Sequence, residues 1–170
     1  MSMKTMDDLL IEQLSELHAA EQHDIEVLTR LADAAWDADL AGAFQAHADQ
    51  TIKHVTRLDQ VFTQLGAKPA IARRAETHGM RGLCADCLEL ANTKWSERRV
   101  RDAALIAAAQ HIEHDEIAGY GCAHAWASQL GHERVADLLQ TTLSEEQAAD
   151  AEFSRLAERI NKAAPVAAHA

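Results

Sequence analysis

Apolar residues recur three and four positions apart along four long runs of this chain, and near the middle of every run acids or histidines break the series. That spacing places side chains on one face of an α-helix, so the four runs predict four amphipathic helices. A face that is apolar at both ends and charged at its centre is a tight constraint. Its ends must be buried against other helices, and burial carries the charged centre inward with them.

The first run, Leu10, Leu14, Leu17, Glu21, Ile25 and Leu28, predicts a helix from about Met6 to Ala35. The second is Phe44, His47, Thr51, His54, Leu58, Val61 and Leu65, with Asp37 or Asp39 as N-cap and Gly66 as stop. The third is Ile106, Ala109, Glu113, Ile117, Tyr120, His124 and Ala127, ending at Gly131. The fourth is Val135, Leu139, Thr142, Glu146, Phe153, Ala157 and Ile160. Short links join the first two helices and the last two. The stretch from Ala67 to Arg99 separates the pairs, and within it "LCADCLELANTKW" predicts a shorter helix. The connectivity is that of an all-α, ferritin-like four-helix bundle with a long crossover containing a short extra helix. Residues 6–162 are expected to form the bundle, with 1–5 and 163–170 as flexible ends.

Composition narrows the partners. Two prolines and seven glycines in 170 residues leave little material for turns and favour helix. A net charge of −11 argues against nucleic acid or an anionic membrane surface as a partner. No stretch approaches the roughly 18 apolar residues of a membrane span, and "MSMKTMDDLLIEQL" has no apolar signal core. A cytoplasmic protein is expected. Three cysteines make a poor disulfide framework.

The polar interruptions can meet. In an antiparallel hairpin, two residues at equal height have a sequence midpoint that falls at the corner. The midpoint of Glu21 with Gln50 or His54 falls in "AAWDAD", and that of Glu113 or Glu116 with Glu146 falls at residues 129–131. Glu21, His47, His54, Glu113, Glu116, Glu146 and Asp150, with Gln50 on the flank, are therefore candidates for one layer of the bundle. No Lys or Arg lies on these faces at that level, and clustered carboxylates oppose folding unless something cationic joins them. Two divalent metal ions would balance the charge. Oxygen-rich donors with imidazole suit iron or manganese, and zinc fits the same set.

The segments "RDAALIAAAQHIEHDEIAGYG" and "AHAWASQLGHERVADLLQTTLSEEQAAD", with "HAAEQ", "AFQAHADQT" and "RLDQVFTQLGAKP", resemble the YciF/YciE-type bacterial ferritin-like proteins, a family similar to rubrerythrins and ferritins. The resemblance spans about Met6 to Ile160 and is weakest in the crossover. It implies a stress-associated homodimer with a dinuclear centre of two iron ions. Carried over by position, Glu21, Glu113, Glu116 and Glu146 match the acidic positions of the family, and His47 and Asp150 match positions typical of it. The chain departs at Gln50, where Glu is usual, and at His54, where Gln is common. The Glu-x-x-His of di-iron bundles is absent from the second and fourth helices. Two functions follow: peroxide, oxygen or Fe(II) oxidation chemistry at the centre, or a dimeric structural protein whose metal only stabilises it.

Among the remaining motifs, Cys84-Ala-Asp-Cys87 has no preceding strand and no second pair, so it is expected to be packing in the short helix. Cys122 is expected in the core and Trp126 on the outer face. Tyr120, on the face of Glu113, is expected to be a buried tyrosine with an ordinary partner, and hydrogen-bonding to a ligand is the sharper alternative. His23, His111 and His114 fall off the apolar face.

Overall fold

The computed structural model describes residues 3–69 and 79–166. The stretch "AIARRAETH" in the crossover and the last four residues of the expected tail lie outside the described residues. The structure is all-helical: α1 (Met6–Ala34), α2 (Ala38–Gln64), α3 (Gly79–Asn92), α4 (Arg98–Gln129) and α5 (Glu133–Ala163). Helices α1 and α2 pair as one hairpin, α4 and α5 as another, and α3 packs against α1 and α4. The fold is the ferritin-like bundle with the extra helix in the crossover. No helix among the described residues is long and apolar enough to cross a membrane.

Local chemistry sets the ends of these helices. Thr5 starts α1 with a capping box, its side chain and that of Asp8 satisfying one another's free backbone N–H groups. Asp37 is the N-cap of α2 and accepts from the N–H groups of Asp39 and Leu40. Gly66 and Gly131 follow α2 and α4 at φ of 62° and 77°, a left-handed geometry that other residues adopt only at a cost. The buried Asp102 of α4 accepts from the N–H groups of Trp36 and Asp37, each at 2.9 Å. It thereby pins the first hairpin's corner to the second hairpin.

The interior is divided. One apolar cluster gathers Val27, Leu28, Leu40, Phe44, Ile106, Ile112, Phe153 and Leu156 with Cys84 and Cys87. The other gathers Leu10, Leu14, Leu17, Leu58, Val61, Phe62, Ala123, Val135 and Leu139, with Tyr120 at its edge. Glu21, Asp24, His47, His54, Glu113, Glu116 and Glu146 fall between them in sequence on every main helix, and all are buried. The interruptions of the apolar faces are thus a polar layer sandwiched between two apolar ones.

Two expectations fail. Cys122 is exposed rather than in the core. Two residues beyond the buried Tyr120, it is turned by more than half a helical revolution, to the opposite side of α4. Trp126 is half-buried against the second apolar cluster rather than on an outer face. His23, His111 and His114 are exposed, and Cys84 and Cys87 are buried on α3, as the pattern of apolar positions requires.

Candidate metal centre

Each main helix contributes to the layer at a spacing that keeps its side chains on one face. Helix α1 presents Glu21 and Asp24, three apart; α4 presents Glu113 and Glu116, also three apart; α2 presents His47 and His54, two turns apart; α5 presents Glu146. Their donor atoms fall into three groups, each with its atoms within 4.8 Å of one another: Glu21, His54 and Glu146; Asp24, His47 and Glu113; and Glu113, Glu116 and Glu146. The first two share a plan, with one acid from α1, one imidazole from α2 and one acid from the second hairpin. The third group links them through Glu116.

The distances are short. His54 Nδ1 lies 2.7 Å from Glu146 Oε1 and 3.3 Å from Glu21 Oε2. His47 Nε2 lies 3.1 Å from Glu113 Oε2 and 3.4 Å from Glu146 Oε2. Even so, both oxygens of Asp24, Glu113, Glu116 and Glu146 lack a hydrogen-bond partner, as do Glu21 Oε2, both nitrogens of His47 and His54 Nδ1. Buried polar atoms left this way cost on the order of 1–3 kcal/mol each, so one such atom is unusual and a whole layer of them calls for a ligand. No Lys or Arg is buried among the described residues. Five carboxylates and two imidazoles are the donor set of hard or borderline divalent cations. The residues present fit a metal pair.

Electrostatics tells the same story. Burial pushes Glu113 well above the ordinary glutamate range, and Glu146 and other acids push it further. Burial does the same to Asp24, reinforced by Glu113, and to Glu116, reinforced by Glu21 and Asp24. Glu21 is raised by burial, with His54 offsetting part of the effect. For His54, burial disfavours the imidazolium, but Glu146 and Glu21 outweigh it and raise the pKa to about 10. Without metal the layer therefore holds protons, and a metal must displace them.

Two contacts orient the donors from behind. His54 turns its outer nitrogen, Nε2, to Glu145 at 3.0 Å, and Arg57 Nη1 holds the same carboxylate oxygen at 2.8 Å. A proton on Nε2 leaves Nδ1 free to face the layer. The Tyr120 hydroxyl, fully buried, donates a hydrogen bond to Glu21 Oε1. Tyr120 is thus a buried tyrosine whose partner is one of the candidate donors.

Six of the eight expected site residues come together: Glu21, His47, His54, Glu113, Glu116 and Glu146. Gln50 is half-buried and lines a groove between α2 and α5 beside His47. Asp150 is half-buried, accepts from Gln110 Nε2 at 2.9 Å and has His114 Nε2 at 3.3 Å. Asp150 belongs to none of the three groups of acids and imidazoles. Asp24 belongs to them and escaped the sequence reading; its spacing of three from Glu21 was the available signal.

The model of the family described as "Domain of unknown function (DUF892)" matches residues 5–165. The chain belongs to this family. Protein YciF of Escherichia coli (strain K12) is 40% identical to this DUF892 chain over 166 residues, covering 96% of it and 98% of YciF. The crystal structure of the E. coli stress protein YciF superposes with a TM-score of 0.88 at 38% identity, covering 94% of this chain and 99% of that one. YcfI from Rhodopseudomonas palustris superposes with a TM-score of 0.80 at 36% identity, covering 89% and 94%. A ferritin-like, diiron-carboxylate protein from Bacillus anthracis str. Ames shares the fold with a TM-score of 0.68 at 18% identity, covering 91% and 99%. The resemblance carried by the helix motifs is thereby established, and with it the ferritin-like fold of this DUF892 member.

Proposed function

We propose that the buried layer binds two divalent metal ions, iron in the first place, and that this DUF892 chain carries out peroxide, oxygen or Fe(II) oxidation chemistry in a stress-associated role. Manganese or zinc fits the same donors. The observation that carries the reading is the set of buried carboxylate oxygens and imidazole nitrogens that crowd together without a hydrogen-bond partner. The proposed ligands are Glu21, His54 and Glu146 on one side, Asp24, His47 and Glu113 on the other, and Glu116 between. Gln50 and Asp150 stand at the margin. A bound iron pair supplies one-electron redox steps at each ion.

The protein's own residues do the rest. Glu145 and Arg57 fix the His54 ring so that Nδ1 faces inward. Tyr120 fixes Glu21 through its Oε1 and leaves Oε2 for a cation. The two flanking apolar clusters keep bulk water from the layer, which strengthens every charge interaction inside it. The resemblance further supports a homodimer, which light scattering of the purified protein would measure.

A second reading has one observation in its favour: no Glu-x-x-His occurs on α2 or α5. On that reading the metal only stabilises a structural protein. Metal analysis of protein purified without added iron, then anaerobic Fe(II) loading and peroxide addition, separates the two. Oxidation of the bound iron with recovery on reduction supports the first. Metal that binds and does not cycle supports the second. Absence of binding at any loading sinks both.

A further inference from the structure

We propose that the groove between α2 and α5 is the route by which divalent cations reach the buried layer, with Gln50 as a transit ligand at its throat. The inference rests on the metal-centre reading and adds a path to it. The groove has a volume of about 710 Å³, and Gly42, Ala46 and Ala149 face it alongside Phe153, Glu152 and Arg155. Small facing residues leave the helices without knobs to fill the seam. At its inner end is His47, only 3% exposed and without a hydrogen-bond partner on either ring nitrogen. Its Nε2 is 3.1 Å from Glu113 inside the layer, so the same imidazole borders both groove and layer. The other six residues of the layer are 0–1% exposed.

The chemistry of the groove suits passage rather than capture. At the rim, Arg155 holds Glu152 and Arg159 holds Asp39, so neither acid is a free trap for a cation. The pull comes from the net charge of −11, which concentrates cations at the surface. Further in, Gln50 offers a neutral amide oxygen, half-buried, before the imidazole of His47. A neutral donor can replace a departing water without holding the ion, and transit requires binding weak enough to release. A carboxylate at position 50 would hold the ion longer.

The test separates rate from extent. In a Cys122→Ser background, Ala46→Cys places an exposed thiol on the groove wall, and a bulky maleimide plugs it after folding. Co(II) uptake by the metal-free protein is followed by absorption, and final metal content by elemental analysis. The labelled protein is expected to load at least about tenfold more slowly than the unlabelled one, a modest rise in barrier, while reaching the same content. Gln50→Leu is expected to slow loading in the same way without lowering the final content. Equal loading rates for labelled and unlabelled protein overturn the route alone. A lower final content in Gln50→Leu makes Gln50 a resident ligand and overturns its transit role. A parent protein that takes up no Co(II) or Fe(II) overturns the metal centre and the route with it.

Discussion

His54 Nδ1 lies 2.7 Å from Glu146 Oε1, joining the two hairpins at the heart of the bundle. The ring is a cation there in metal-free protein, because Glu146 and Glu21 raise its pKa to about 10. Removing it leaves two buried acids without their positive partner. His54→Gln is therefore expected to destabilise the metal-free protein by about 3–5 kcal/mol, the range for breaking a buried pair. Denaturant unfolding of metal-free protein checks it. A change below about 1 kcal/mol, the scale of a surface pair, would mean His54 is not the charge that holds Glu21 and Glu146.

Asp24 and Glu113 give the opposite sign. Both are acids held well above their ordinary pKa by burial, with Glu113 pushing Asp24 further and Glu146 pushing Glu113 further, so both are liabilities until a cation arrives. Asp24→Asn keeps the shape and removes the charge. It is expected to raise the unfolding temperature of metal-free protein while lowering metal affinity. The affinity loss should be no smaller than the roughly 10–100-fold seen when an outer partner of a metal site is lost. Thermal unfolding and metal titration are run on the same variant. A lower unfolding temperature would make Asp24 a structural acid, and an unchanged affinity would show that it is not a ligand.

The contrast between Asp24 and Glu21 explains what the sequence discloses. Glu21 stands where the series of Leu10, Leu14 and Leu17 requires an apolar residue, so its burial is legible. Asp24 sits in "EQHDIE", where His23 and Glu26 are solvated, and a one-residue error in phase moves it to the surface. Gln50 and Asp150 show the reverse: the apolar pattern puts them with the layer, and the structure leaves both half-buried. Each is one helical step from a true member of the layer, His47 or Glu146, which is close enough to share a stripe and far enough to face a seam. The helices and their corners were readable because many residues vote on each period. A ligand set depends on single side chains at helix flanks, and only the packing of four helices decides those.

Tyr120 and Glu21 test the orientation of the donors. Tyr120→Phe deletes one hydroxyl and leaves Glu21 Oε1 with no donor in a dry setting. The expected cost to metal-free protein is about 1–3 kcal/mol, the penalty of an unsatisfied buried acceptor. Metal stoichiometry is expected to stay the same, because Tyr120 acts through Glu21. Denaturation and metal analysis measure the two outcomes. Loss of bound metal in Tyr120→Phe would show that the tyrosine does more than hold the carboxylate.

The pH dependence of stability follows from the raised acids, and its sign is fixed. Asp24, Glu113 and Glu116 keep protons in the folded chain at pH values where the unfolded chain, at ordinary values of 3.8 and 4.5, has lost them. The folded state then binds more protons, so stability falls as pH rises, by about 1.4 kcal/mol per pH unit for each group while the difference lasts. His54 adds the same sign: its contribution is full below its ordinary 6.5 and is lost as pH climbs through about 10. Asp37 and Glu145, with lowered values, act oppositely, but only near and below the ordinary carboxylate range. Above about pH 5.5 the raised groups dominate, and metal-free protein is expected to melt at a lower temperature at about pH 8 than at about pH 5.5. Metal binding expels those same protons, so its affinity rises with pH. The gap in melting temperature between metal-loaded and metal-free protein should widen from the lower pH to the higher. Calorimetry of both forms at the two pH values measures it, and a gap that narrows would place the bound metal away from this layer.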